Sequence, residues 1–205
     1  METDYSILKR DDFENAVREY LSFLLKYSKN AKNVNVKSES ACSKITDLNI
    51  SAWKGFKYKD IFNISRGQSN PEDYKNKSLM IGASQNENGS NGEFIEAEPY
   101  YKKQAITVGN GGNTGCGQTF FQSLPFNAKN TVNVLDLKSR VLNSYIALFL
   151  ITLIRLEKYR FNFGRGWSLE RMKEDIIKLP AAPSGEPDFQ FMEDYVKTLP
   201  YSSNL

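Results

Sequence analysis

The residues with the most chemistry to offer lie in one glycine-rich stretch, Gly109-Asn110-Gly111-Gly112-Asn113-Thr114-Gly115-Cys116-Gly117. From Gly112 to Thr119 the chain reads G-N-T-G-C-G-Q-T, one residue short of the phosphate-binding loop consensus, with Gln118 where that loop needs a lysine. The lysine neutralises the outer phosphates, and the loop must open a helix whose N-terminus faces the anion. Here Thr119-Phe120-Phe121 continues as a strand that Pro125 closes, which argues against nucleotide binding. Two readings stay in balance. The glycines form a tight connection between strands, as most such clusters do. Alternatively they let the backbone approach a nucleic-acid phosphate while Asn110, Asn113 and Thr114 offer donors and acceptors.

Catalytic patterns fare worse. Asp60 with Asp73-Tyr74-Lys75 has the outline of a metal-dependent nuclease, but Asp73 sits in a polar turn, whereas such enzymes hold the pair on adjacent core strands. No glycine-rich methyl-donor loop follows an N-terminal strand, and no Asn-Pro-Pro-Tyr tetrapeptide is present; Glu98-Pro99-Tyr100 is no substitute. The chain has no histidine, which removes the commonest general base and zinc ligand. Its two cysteines, Cys42 and Cys116, can neither close a structural zinc site nor frame a disulfide scaffold. The residues therefore suggest a chain without catalysis, cofactor or metal.

Charge gives a weaker clue. The net charge of +3 is compatible with a polyanionic partner without demanding one. Its distribution is more telling: Arg140 to Lys178 holds eight basic residues against four acidic ones, interleaved with Tyr159, Phe161, Phe163 and Trp167. Such a strip suits a DNA backbone, because cationic groups displace condensed counterions and planar rings pack on sugars or bases. A solvated helix end followed by a buried aromatic loop accounts for the same residues equally well.

These groups need a scaffold, and 205 residues, 40% of them hydrophobic, suffice for one good core with terminal appendages. Residues 1–50 read as an amphipathic helix, Asp11–Ser28, followed by a polar linker; 51–182 as the main domain; 183–205 as a turn and short helix. Strand-like runs fall at Ser78–Ala83, Gly92–Ile95, Ala105–Val108, Gln118–Gln122 and Thr131–Leu137, with two Asn-Gly turn signals between the first two. Tyr145–Tyr159 reads as a helix apolar nearly all round in its first half, hence buried. Ser168 is placed to cap a helix over Leu169–Asp175, an extended run ends at Pro180, and Asp188 is placed to cap a helix over Phe189–Thr198. The fold class is α/β of the α+β kind, with a β-rich core, a long buried helix and short terminal helices. No leader opens the chain and no run is long enough to span a membrane, so the expected location is the cytoplasm.

Several segments in order resemble the specificity subunits of Type I restriction–modification enzymes. Trp53-Lys54-Gly55-Phe56-Lys57-Tyr58-Lys59-Asp60-Ile61-Phe62 with Ile64-Ser65-Arg66-Gly67 is similar to the family's opening segment, and Met80-Ile81-Gly82-Ala83-Ser84 with Asn88-Gly89 to the next. Ala105-Ile106-Thr107-Val108, Gly115 and Gln118-Thr119-Phe120-Phe121-Gln122 resemble its centre. Asn143-Ser144-Tyr145-Ile146-Ala147-Leu148-Phe149-Leu150 resembles its helix and Ile177-Lys178-Leu179-Pro180 its closing strand. The tail from Gly185 to Ser202 looks more like the recognition end of BcgI-like or fused Type II enzymes.

The resemblance implies a single target recognition domain that reads one half of a split double-stranded DNA site, while separate subunits methylate adenine and cleave. It also implies a methyltransferase partner, and leaves room for a restriction subunit or a second copy of the chain. Asn and Gln pair with adenine and Arg with guanine in the major groove. The candidate base readers are thus Gln85, Asn86, Asn88, Asn110, Asn113 and Arg165, and the candidate phosphate contacts Lys102, Lys103, Lys158, Arg160, Arg171 and Lys173. The competing expectation is an assembly module that no longer binds DNA and docks on a methyltransferase through the Asp11–Ser28 helix.

Overall fold

The computed structural model describes residues 3–27, 48–72, 75–112, 115–161 and 165–205. Its centre is a four-stranded antiparallel sheet in the order β2-β8-β5-β6, formed by Phe62–Arg66, Val132–Leu137, Ala105–Gly109 and Thr119–Gln122. Beside it stands a three-stranded sheet, β4 (Phe94–Ile95), β3 (Ser78–Ile81) and β7 (Phe126–Ala128), in which β3 and β7 run parallel. A separate ribbon pairs β1 (Lys54–Lys57) with β9 (Ile176–Leu179), so the two ends of the main segment close on each other.

The strands β3, β5, β6 and β8 fall where the sequence suggests them. The strands β2 and β7 alternate apolar and polar residues, Phe62-Asn63-Ile64-Ser65 and Phe126-Asn127-Ala128, but over runs too short to stand out, and pairing with β8 and β3 fixes them as strands. The connection from β3 to β4 uses its Asn-Gly pairs as turn chemistry requires, with Asn88, Gly89, Asn91 and Gly92 all at positive φ.

Helix α3 (Ser144–Leu156) explains the long apolar run. Every residue from Ile146 to Ile154 is buried, because α1 (Arg10–Tyr27) and α5 (Phe189–Lys197) cover it on one side and β5 and β6 on the other. Asn143 caps it by accepting from the Ile146 amide at 2.9 Å. Phe13, Val17, Tyr20 and Leu21 of α1 join the same core, with the Phe13 ring 5.0 Å from Phe149. The apolar face of α1 is therefore used inside the chain, and the surface it presents is polar. Helix α4 (Leu169–Glu174) is capped by Ser168 and α5 by Asp188, the latter accepting from the Phe191 amide at 2.9 Å. Among the described residues no helix is long and apolar enough to cross a membrane.

Candidate nucleic-acid interface

Antiparallel pairing brings chain segments far apart in sequence to one end of the central sheet. Arg66 sits opposite Asn133, Gly109 opposite Val132, and Val108 opposite Thr119, so the end of β2, the β5–β6 connection and the start of β8 share one rim. The parallel pair β3 and β7 ends there too: the Ala83 amide donates to Thr131 Oγ1 at 3.3 Å and the Asn110 amide to the Thr131 carbonyl at 2.9 Å. A fifth segment, Arg165–Ser168, closes the group.

Two glycines permit this convergence. A Cβ on Gly115 would stand 2.0 Å from the Ala83 carbonyl oxygen, and one on Gly166 would stand 2.8 Å from that of Asn110. Any other residue would push the loops apart. The glycine cluster is thus a strand connection, and no helix opens after it, which disposes of the nucleotide-loop reading. The connection also borders an open cavity of about 420 Å³ lined by Gly82, Ser84, Asn91, Gly111, Gly112 and Lys129. Glu93 lines the same cavity and pairs with Lys129 at 2.5 Å.

The candidate residues separate into groups. Gln85 and Asn86 are exposed beside the rim, Asn110 is half-buried on it, and Arg165 is exposed at its edge. Lys158 is exposed and its Cα backs onto Gly117, and Arg171 is exposed with its guanidinium donating to the Gly166 carbonyl at 3.2 Å. Asn113 lies outside the described residues.

Four expectations change. Asn88 is buried, and its amide nitrogen donates to the Phe121 carbonyl at 2.8 Å and Gln122 Oε1 at 3.1 Å, so it braces the loop from within and has no edge to present to a base. Arg160 is partly buried and committed to two carboxylates, Glu157 at 2.6 Å and Asp175 at 3.1 Å. Burial alone would lower its pKa, but the hydrogen bonds and charges of those carboxylates outweigh burial and raise it. Lys102 and Lys103 stand at the opposite end of β5, roughly 20 Å from Asn110 by strand rise; Lys102 pairs there with Glu98 at 2.6 Å. Lys173, unlike these four, is not displaced as a candidate: it makes a surface pair with Glu170 at 3.2 Å within α4.

The basic strip is therefore mixed. Phe161 and Trp167 are buried and stacked at 4.4 Å, and Arg155 pairs with Glu19 at 2.7 Å, so part of it is the buried aromatic loop that competed with the DNA reading. Sequence reasoning missed Arg66, exposed at the rim and reaching the Asn130 carbonyl at 3.5 Å, together with Asn130 and Thr131. The Asn-Thr pair directly before a strand was a signal for the latter two. For Arg66, only the pairing of β2 reveals the location.

The architecture is mixed α/β, with loops of five segments gathered at one end of the central sheet. The family model of the Type I restriction modification DNA specificity domain matches residues 50–202, and the chain belongs to that family. The specificity subunit S.BcgI of a Type II restriction enzyme from Heyndrickxia coagulans is 28% identical over 179 residues, 86% of this chain and 51% of that protein. Among solved structures, the Type I restriction–modification S subunit from M. genitalium superposes with a TM-score of 0.52 at 18% identity, covering 92% of this chain and 49% of that one. The HsdS subunit from Thermoanaerobacter tengcongensis gives 0.50 at 11% identity, covering 95% and 44%. The chain spans about half the length of these relatives, and the two structural likenesses speak to the fold.

Proposed function

We propose that this chain is a sequence-specific double-stranded DNA recognition domain of a restriction–modification system, reading one half-site and directing a partner adenine methyltransferase or endonuclease to it. The observation that carries the reading is the convergence of five segments, bearing Arg66, Asn86, Asn110, Asn130 and Arg165, on one rim of a sheet whose family is a DNA specificity domain. The side chains supplied are amides and guanidinium groups, the types that contact adenine and guanine; Asn110, whose two amide hydrogens go to Asn130 and Asn133, offers its Oδ1 alone. Lys158 and Arg171 flank them as phosphate contacts. The chemistry of methylation and cleavage belongs to other subunits in this reading, and the cell compartment is the cytoplasm, where such DNA is found.

In this reading the chain supplies one of the two recognition units of a split site, the other coming from a second copy or from a second domain of the same polypeptide, as in relatives about twice its length. Docking through α1 in place of DNA binding is disfavoured by the burial of its apolar face.

Selection from a random-sequence duplex pool at two salt concentrations, with the chain alone and with its methyltransferase partner, tests the reading. Enrichment of one short motif is expected; absence of binding even with the partner would return the assembly-module reading.

A further inference from the structure

Two of the segments that carry candidate base readers meet on one buried side chain. Asn133, in β8, has no exposed surface. Its Oδ1 accepts from Asn110 Nδ2 at 3.2 Å, and its own Nδ2 donates to the Trp167 carbonyl at 3.1 Å and toward Met172 Sδ at 3.6 Å. Asn110 also donates to the Asn130 carbonyl at 3.0 Å, so its side chain is held between the start of β8 and the loop before it.

Trp167 is fixed just as firmly from its other side. Its indole N–H donates to Asp175 at 2.6 Å and its ring stacks on Phe161. Arg165 lies two residues before this anchor, and Gly166 between them rests on the Asn110 carbonyl. The Asn110 and Arg165 segments therefore touch each other and share a common support in Asn133.

The residue type is informative. Position 133 stands in a buried strand between Val132 and Val134, where packing favours an apolar side chain. A buried amide persists only where its donor and acceptor are both matched, and here the matches are the two loops. An amide donates and accepts in different directions, so a single side chain can hold one loop by each function.

We propose that Asn133 is a positioning residue for DNA recognition, setting the spacing between Asn110 and Arg165 so that both address the same stretch of duplex. It stays beneath the rim and does not touch DNA. The proposal rests on the DNA-recognition reading of the rim.

Asn127 supplies a matched control. It is equally buried and donates to Ser78 Oγ at 2.8 Å and the Glu98 carbonyl at 3.0 Å, and these partners do not belong to the rim. Asn133→Ala, Asn133→Asp and Asn127→Ala are compared in the full chain with its methyltransferase partner. The readouts are thermal unfolding, amide hydrogen exchange over 108–112 and 165–168, and the ratio of affinities for the selected and a scrambled duplex.

Asn133→Ala is expected to lose exchange protection in both segments and to lower the ratio at least about tenfold, with scrambled-duplex affinity changed less than about threefold. Asn133→Asp, which keeps the acceptor for Asn110 but not the donor to Trp167, is expected to loosen only 165–168. Asn127→Ala should leave the ratio within about threefold at a comparable loss of melting temperature. An equal fall in the ratio for Asn127→Ala and Asn133→Ala would overturn the proposal, leaving Asn133 as a packing residue. Unchanged exchange in both segments, with wild-type preference intact, would overturn it alone. A wild-type protein that prefers no duplex would overturn the DNA reading first and the proposal with it.

Discussion

Arg160 Nη1 lies 2.6 Å from Oε2 of Glu157, a carboxylate with no solvent exposure, whose other oxygen accepts from the Tyr5 hydroxyl at 3.1 Å. Burial, followed by the charge of Glu157, raises the Tyr5 pKa, so the phenol stays a donor. Arg160 also reaches Asp175, which holds the Trp167 indole. The N-terminal segment, the end of α3 and the entry to β9 are tied together by this arginine. Arg160→Ala should cost about 3–5 kcal/mol, because it takes from the buried Glu157 carboxylate the cation that pairs with it. Denaturant unfolding checks this, and a variant of wild-type stability would show that Glu157 is not dependent on its partner.

Lys158, two residues earlier, should behave in the opposite way. It is exposed, so Lys158→Ala is expected to leave stability within about 0.5 kcal/mol. It should weaken binding to all duplexes alike and reduce the slope of log affinity against log salt by about one. Salt titrations on selected and scrambled DNA read both effects; a changed base preference would contradict a phosphate role.

Arg165 is an exposed guanidinium at the edge of the rim. Arg165→Ala should cost about 1–3 kcal/mol on the selected duplex and relax preference at one base pair, since a bidentate contact to guanine is lost. Arg165→Lys should not restore that preference, because an ammonium lacks the planar fork. Repeating the pool selection with each variant decides it.

Asn88 should affect folding and not reading. Its φ of 56° is tolerated by Asn and Gly, and its amide supports Phe121 and Gln122. Asn88→Ala is expected to destabilise by about 2–3 kcal/mol, from lost hydrogen bonds plus left-handed strain, and Asn88→Gly by less. The selected motif should be the same for both variants. Thermal melts and one round of selection suffice.

Glu174 gives the pH dependence its sign. Hydrogen bonds from Lys59 and then Lys57 hold its pKa down to about 2. A carboxyl depressed on folding stabilises fully above its ordinary value near 4.5, and that contribution is lost as pH falls from there toward 2. Glu174→Gln should therefore melt close to wild type in acid and somewhat below it at neutral pH. The exposed pair keeps the difference small. Parallel melts between pH 2 and 7 measure it.

Much of this fold was legible in the chain because local chemistry agreed with it. The caps Ser168 and Asp188, the Asn-Gly turns and the apolar run that became α3 each report through nearest-neighbour geometry. The candidate site was legible only in outline. Composition pointed to amides and cations on loops, and of its candidates Asn110, Arg165 and Lys158 stand on or beside the rim, yet it grouped Arg160 with Lys158 and Asn88 with Asn86. In each pair one side chain turns inward and its neighbour outward, and burial separates residues that composition and spacing treat alike.

The sequence by itself determined the longer elements and their caps, the absence of histidine chemistry, and membership of a family through the order of its segments. Only the tertiary structure decided which polar groups share a surface. Arg66, Asn110, Asn130 and Arg165 are up to about a hundred positions apart, and it is antiparallel register that carries them to one rim. The same register carries Lys102 and Lys103 to the other end of β5. Strand register depends on pairing between distant segments, which no local pattern encodes.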